Sequence, residues 1–140
     1  MDISKTYIKM CEEAEEIQRL RTSEVPDYEG GTYKIKEYLI GDYYLHEGIV
    51  QAASTTTSPV IPDEESNVWT NVVDSVWLPR QDQLQEMVEL PLKETIYRFS
   101  LWAMFYANQF TSMEQLWLAF VLKEKYNKVW DGETWQIHGQ

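Results

Sequence analysis

The chain has 140 residues, and its 23 acidic side chains outnumber its 12 lysines and arginines, which gives a formal net charge of −11. This length is typical of one domain. A hydrophobic content of 44% with six tryptophans excludes intrinsic disorder for most of the chain. The negative charge argues against direct nucleic-acid binding, because sequence-independent affinity for nucleic acid depends on Lys and Arg. One cysteine and two histidines are too few for a Cys/His zinc site, and a single cysteine excludes an intramolecular disulfide.

Neither a signal peptide nor a membrane span is predicted. The segment from Met1 to Arg21 is charged throughout and lacks the apolar stretch of a signal peptide. The most apolar region, Leu101 to Leu122, is interrupted by polar side chains whose burial in hydrocarbon would be costly. We therefore expect a reduced, cytosolic protein.

The first predicted element is a helix with one apolar stripe. Asp2 or Ser4 is suited to cap its start. Five apolar residues recur in steps of four and three: Ile3, Tyr7, Met10, Ala14 and Ile17. The opposite face is acidic, so the stripe should pack on the core. A coiled-coil dimer would use the same stripe, but the pattern lasts less than three heptads.

The middle of the chain is predicted to form a small antiparallel sheet. Pro26 and the Gly30-Gly31 pair end the helix, and strands are expected from Thr32, at Tyr43 to Leu45 and at Ile49 to Ala52. Residues 54–67 are rich in turn formers and acid, which indicates a mobile loop or an insertion. The apolar residues from 68 to 77 fit a short helix as well as a strand.

The last third of the chain is predicted to be helical. A short helix should begin at Pro79, and a second from Leu92 to Ala107 is apolar on so many faces that we expect it to be largely buried. Thr111 to Glu114 has the form of a capping box for a third, core helix through Leu116–Leu122. Trp130 to Trp135 contains the Asp-Gly signal of a hairpin.

Together these elements predict an α+β fold. We expect a mostly helical single domain over residues 1–140, with a small antiparallel sheet packed on the buried C-terminal helix. No segment repeats at a fixed period, which excludes a solenoid or a propeller.

Two stretches carry a resemblance: Val76-Trp-Leu-Pro-Arg-Gln-Asp-Gln-Leu-Gln-Glu-Met87, and Phe110 to Trp130 with Thr-Ser-Met-Glu-Gln-Leu-Trp-Leu-Ala-Phe-Val-Leu at its start. They resemble a group of small uncharacterised proteins encoded by phages and prophages of low-GC Gram-positive bacteria. Cys11 to Gln18 and Gly41 to Tyr44 are similar to the same group, and the likeness thins across residues 47–75. The resemblance implies an origin, but no reaction, ligand or catalytic residue.

The polar run at the start of the helix after Trp77 is a candidate recognition surface. Arg80, Gln81, Asp82 and Gln83 can all form hydrogen bonds, and Gln85 follows them. The alternative is that Arg80 pairs locally with an acid while the glutamines face water. Most tryptophans should belong to the core, but Trp69, Trp130 and Trp135 lie nearest to loops and could anchor a partner.

Three other groups have simple structural interpretations. His46 could act as a base but lies beside a turn, and Cys11 lacks an activating neighbour, so it should be a small core residue. Asp63, Glu64 and Glu65 could bind a cation but lack the alternation of a calcium loop. No phosphate loop, nucleophile elbow or paired-histidine motif occurs. We therefore predict no catalytic residues, cofactor or metal.

Three functional hypotheses follow. The first is a non-enzymatic phage or prophage protein that binds another protein in the host cytoplasm, without direct contact to nucleic acid or membrane. The second is an acidic inhibitor that imitates nucleic acid and occupies the basic groove of a host defence or DNA-processing enzyme. The charge is concentrated in the first 78 residues, and a mimic needs it on one continuous face. The third is a hydrolase or metal-dependent enzyme with an unrecognised site.

Overall fold

Helices occupy both ends of the chain and short strands the middle, in an α+β architecture. The structure, a computed structural model, describes residues 1–53, 60–62, 69–71 and 74–138. The described helices are α1 (Lys5–Glu13), α2 (Glu15–Gln18), α3 (Gln81–Met87), α4 (Leu92–Tyr106) and α5 (Met113–Tyr126). Short 3-10 turns follow α2 at Arg19–Arg21 and α4 at Ala107–Gln109. No described helix is long and apolar enough to cross a bilayer.

The described strands form four small antiparallel sheets rather than the one sheet that was expected. The strands are β1 (Thr22–Pro26), β2 (Thr32–Lys36), β3 (Tyr43–His46), β4 (Ile49–Ala52), β5 (Val60–Pro62), β6 (Trp69–Asn71), β7 (Val76–Leu78), β8 (Lys128–Trp130) and β9 (Trp135–Ile137). β3 is the centre of a sheet with the order β4-β3-β7, and the other sheets are the pairs β1-β2, β5-β6 and β8-β9.

The chain divides into two compact units. The first, here called the helical unit, comprises Met1–Ala14 and Pro79–Gln140, and the second, the sheet unit, comprises Glu15–Leu78. The helical unit contains α1, α3, α4, α5 and the β8-β9 hairpin, whereas the sheet unit contains α2 and the remaining strands.

The amino-terminal helix is shorter than its apolar stripe predicted. The Ser4 hydroxyl caps α1 by accepting the Tyr7 N–H at 3.2 Å, as one of the two predicted caps. The helix ends at Ala14, whose backbone is no longer helical, and α2 resumes one residue later. Four stripe residues from Tyr7 to Ile17 are buried as predicted, but Ile3 is exposed because it precedes the cap.

In the sheet unit, the strand β1 was not predicted from the sequence. Residues 22–26 pair with residues 32–36, so that Gly30 and Gly31 close a hairpin instead of merely ending a helix. Gly30 has a φ of +89°, a conformation that favours glycine. The expected strands β3 and β4 are confirmed, and Glu47 and Gly48 join them with positive φ at both positions, as a tight hairpin of right-handed twist requires.

The helix α5 is the core helix that the sequence predicted. Eight consecutive residues, Gln115 to Leu122, are buried. Its cap lies one residue later than predicted: the Ser112 hydroxyl accepts the Gln115 N–H at 3.1 Å, and the Gln115 side chain accepts the Thr111 N–H at 3.1 Å. Asn127 ends the helix with a left-handed backbone, φ 54° and ψ 43°. The β8-β9 hairpin follows as expected.

The expectation that the helix after Pro91 is largely buried is wrong. The predicted helix exists as α4, but Thr95 is its one buried residue. The apolar residues on its other faces point to solvent instead of to the interior of the helical unit.

Several predictions concern residues that lie outside the described part of the chain. Residues 54–59 and 63–67 of the expected mobile loop are among them, as are the acidic residues 63–65. Only the backbone of β5 and β6 is described between Ala53 and Asp74, so the side chain of Trp69 stays untested.

A polar cluster holds the sheet unit together. Asp42 is fully buried and accepts hydrogen bonds from Arg21 Nε at 2.6 Å and from the Leu39 N–H at 2.8 Å. The Arg21 guanidinium also lies over the Trp77 ring, 3.9 Å from its centroid. The Gln18 amide spans the two backbone groups of Trp77, donating to the carbonyl and accepting from the N–H, each at 2.8 Å.

We expect Asp42→Asn to lower the free energy of unfolding by about 3 kcal/mol, because it leaves the Arg21 charge largely buried without a counter-ion. Urea denaturation followed by tryptophan fluorescence measures the change. The matched control is Glu47→Gln, which removes an exposed carboxylate: the Glu47 side chain is 82% exposed, and its Oε1 atom lies 3.7 Å from His46 Nε2. Equal effects of the two variants would contradict a central role for Asp42.

A second polar cluster joins the amino-terminal segment to the start of α5 in the helical unit. The Asp2 carboxylate accepts hydrogen bonds from Ser112 Oγ at 2.5 Å, from Gln115 Nε2 at 2.9 Å and from the Ser4 N–H at 2.8 Å. Burial opposes ionisation of Asp2, but the hydrogen bonds from Ser112, Ser4 and Gln115 together hold the pKa of the carboxyl below its usual 3.8.

Because this pKa is lower in the folded state, the stabilisation by Asp2 should be complete above about pH 5 and lost as the pH falls through the folded pKa. We expect Asp2→Asn to be less stable than the parent at pH 7 by about 1 kcal/mol, and this difference to shrink between pH 4 and pH 2. Thermal unfolding followed across that range measures the difference. A constant difference would show that Asp2 does not act through its charge.

Candidate protein-binding surface and aromatic cavity

The structure places the predicted polar run at the start of α3, where its side chains form hydrogen bonds that cap the amino-terminal end of the helix. Arg80 pairs with its neighbour Asp82 through distances of 2.9 and 3.2 Å, and the hydrogen bond from Arg80 lowers the pKa of the Asp82 carboxyl. The Gln83 side chain accepts the Arg80 backbone N–H at 2.9 Å. Gln81 is half-buried, and Asp82 is exposed. These contacts are the local pairing that the sequence offered as the alternative to recognition.

The two predicted tryptophans of the terminal hairpin have different surroundings. Trp135 is buried, and its indole N–H donates to the Met10 carbonyl at 2.9 Å, which ties the hairpin to α1. Trp130 is half-buried, with its ring centroid 5.0 Å from that of Trp135. Trp130 also lines a cavity, described below, and is therefore the one of the two with a surface open to a ligand.

α4 exposes six large apolar side chains. They are Leu92 (76% exposed), Ile96 (56%), Tyr97 (64%), Leu101 (46%), Met104 (77%) and Phe105 (77%). At 3.6 residues per turn, the last four lie within about 100° of one another around the helix and form one stripe, whereas Leu92 and Ile96 lie on its flank. We call Tyr97, Leu101, Met104 and Phe105 the outward face of α4. Monomeric proteins rarely expose so large an apolar patch unless it binds something.

The opposite side of α4 is fixed to α5 by aromatic contacts. Phe99 stacks on Trp117 with a centroid distance of 3.9 Å, and Trp102 lies 5.5 Å from Phe120. Arg98 adds a charged link by pairing with Glu94 on its own helix at 3.0 Å and with Glu124 on α5 at 3.3 Å. The middle of α4, at residues 98–102, is therefore held against α5.

An aromatic cavity of about 240 Å³ lies at the carboxyl end of α4. Four aromatic side chains, two aliphatic ones and four polar ones line it: Trp102, Tyr106, Phe110, Trp130, Ala119, Val129, Gln109, Lys123, Lys128 and His138. These residues come from α4 and the segment that follows it, from α5, and from β8 together with His138. The Trp102 ring is stacked at 5.4 Å from Tyr106 and at 6.3 Å from Phe110.

Apart from Trp130, the residues of this cavity were not predicted from the sequence. They are separated by up to 36 positions, and no spacing rule connects a helix end, a helix middle and a later strand. The available signal is the group of lysines near the end of α5, but lysines at that position are equally explained by attraction to the helix dipole.

The other candidate residues have structural surroundings. Cys11 is fully buried in α1, and burial raises the pKa of its thiol. His46 lies in β3 with its Nε2 atom 3.7 Å from Glu47. Among the described residues, no group of three His, Cys, Asp or Glu side chains could hold a metal ion.

Many acidic side chains of the helical unit are paired with cations. These pairs are Lys9–Glu133, Arg80–Asp82, Arg98–Glu94, Arg98–Glu124, Lys123–Glu124 and Lys125–Glu89. The positive partner in each pair offsets the negative charge of the carboxylate, so these acids do not resemble the row of unpaired negative charges along a nucleic-acid backbone. Most of the net negative charge lies in residues 15–78 instead, and mimicry by that segment stays a prediction.

The burial of Cys11 predicts low reactivity. We expect Ellman's reagent to modify the folded protein at least about 100-fold more slowly than it modifies the protein in guanidinium chloride, because both access and thiolate formation are suppressed. Absorbance at the thionitrobenzoate band measures both rates on the same sample. Similar rates in the two solutions would show that the thiol is accessible in the folded state.

Comparisons of this chain with protein-family models, with curated proteins and with solved structures found no match.

Proposed function

We propose that this chain is a non-enzymatic protein-binding module that docks on a partner protein through the outward face of α4. The observation that carries the proposal is the exposure of four large apolar side chains on one side of a single helix, between 46% and 77% each. Removing apolar surface from water favours association. Four such residues on one stripe supply a compact apolar anchor for a partner.

The chemistry of the face indicates the kind of partner. Tyr97, Leu101 and Met104 follow the i, i+4, i+7 spacing of a helix that lies in an apolar groove, and Phe105 widens the stripe. Acidic or basic partners are not favoured by this surface, because Arg98 at its border is already paired with Glu94 and Glu124. We infer a protein partner with an apolar groove long enough for about two helical turns.

The place of action is inferred from the resemblance of residues 76–87 and 110–130 to phage and prophage proteins. We propose that the partner is a protein of the bacterial host or of the phage, and that the two meet in the host cytoplasm. Mimicry of nucleic acid is not favoured in the helical unit, because five of its eleven acidic side chains are paired with a lysine or an arginine.

The test combines capture and direct binding. The tagged chain and its Met104→Asp/Phe105→Asp variant are each used to capture proteins from phage-infected host cells, and the enriched protein is identified, purified and titrated calorimetrically. We expect the double variant to bind at least about 100-fold more weakly, because two apolar anchors are lost and two charges must be desolvated. Circular dichroism should show unchanged folding, since both side chains are 77% exposed.

The matched control is Tyr28→Asp, which replaces a fully exposed aromatic side chain in the sheet unit and should leave the affinity unchanged. Equal binding by the parent and the double variant would contradict the proposal. So would sedimentation showing a dimer of the parent that the double variant dissociates, because the face would then join two copies of this chain.

A further inference from the structure

The aromatic cavity of the helical unit differs in charge from the rest of the chain. Lys123, Lys128 and His138 line it, and no Asp or Glu is among its lining residues, in a chain of net charge −11. The Lys123 side chain is 38% exposed, and its Nζ atom lies 3.5 Å from Glu124 Oε1, which is longer than an ordinary hydrogen bond. The cavity therefore presents cationic groups beside an aromatic wall.

The aromatic wall selects planar groups. Trp102, Tyr106 and Phe110 form a stacked series, and Trp130 lies on the β8 side of the cavity. Aromatic rings bind other rings by offset stacking or edge contact, with a gain beyond simple burial of area. An aliphatic ligand of the same size would not stack on these rings and should bind more weakly.

The volume limits the ligand to one ring or a fused pair. A cavity of about 150 Å³ accepts benzene, whereas pockets for drug-sized ligands begin at about 300 Å³. The volume of about 240 Å³ lies between these values. It is large enough for a ring with a short anionic substituent and too small for a nucleotide.

We propose that this cavity binds a small aromatic anion, a ring that carries a carboxylate or phosphate group. The ring occupies the space between Trp102 and Trp130, and the anionic group faces Lys123 and Lys128. A free small molecule and the carboxyl-terminal aromatic residue of a peptide share this chemistry. The site is distinct from the outward face of α4 and does not depend on the docking proposed for that face.

The test uses phenylacetate as the probe and the indole N–H resonances of the protein as the readout, with Trp102 and Trp130 assigned through Trp102→Phe and Trp130→Phe. We expect saturable shifts of these two resonances with a dissociation constant of about 1 mM or lower. The uncharged phenylacetamide should bind at least about tenfold more weakly, and acetate should produce no saturation.

The charge contribution is tested with Lys123→Gln/Lys128→Gln. We expect this double variant to bind phenylacetate about tenfold more weakly than the parent and to lose the preference over phenylacetamide. Lys125→Gln is the matched control, because Lys125 lies on the same helix, pairs with Glu89 and does not line the cavity. An unchanged thermal unfolding midpoint would show that the variants are folded.

Two peptides test whether the ligand is the end of a peptide or a free small molecule. Gly-Gly-Phe with a free carboxylate binding more tightly than phenylacetate, while its amidated form does not bind, would assign the site to a peptide terminus. Weaker binding of both peptides would assign it to a free small molecule. Absence of saturation with every probe, equal affinity for phenylacetate and phenylacetamide, or shifts confined to other tryptophans would overturn the proposal.

Discussion

The complete burial of α5 is the constraint that organises the helical unit. Residues 115–122 are buried on every side of the helix, so other elements have to cover its whole circumference. α1, α3, α4 and β8 all contact it. Each covering element then needs only one apolar side for the core. α4 uses Phe99 and Trp102 for this purpose and retains a second apolar side that α5 cannot reach.

The helical unit was largely predictable from its sequence. The periodic spacing of apolar residues, the capping residues and the turn residues all determine structure through contacts between residues a few positions apart. Pro79, Ser112 and Asn127 mark helix ends for local steric and hydrogen-bonding reasons, and the structure places the ends of α3 and α5 within two residues of them. The burial of α4 was not predictable in the same way. A helix that is apolar on all faces can be enclosed by its own chain or by another protein, and periodicity alone does not distinguish the two.

The sheet unit was harder to predict because polar contacts replace the usual alternation. In β2, Lys36 is buried and Tyr33 is exposed, against the expected pattern. Lys36 Nζ donates to the side-chain Oε1 atom of Gln18 at 3.1 Å, and burial lowers the pKa of Lys36 to about 8. The same Gln18 side chain contacts the backbone of Trp77. The contact between Gln18 and Trp77 joins residues that are 59 positions apart, and such a contact leaves no periodic signal in the sequence. This is why the nearby strand β1 was not predicted.

The cavity depends on one backbone reversal. Asn127 adopts a left-handed conformation directly after α5, which turns the chain so that β8 runs back beside the last turn of the helix. This reversal brings Lys128 and Trp130 to the same cavity as Lys123. Lys123 lies in the last turn of α5, where a positive charge suits the carbonyl end of the helix dipole. The dipole explains why a cation is favourable there, whereas the aromatic wall opposite it is what makes the position suitable for a ligand. No Asp or Glu lines the cavity, so the charge of its lining is opposite in sign to the net charge of the chain.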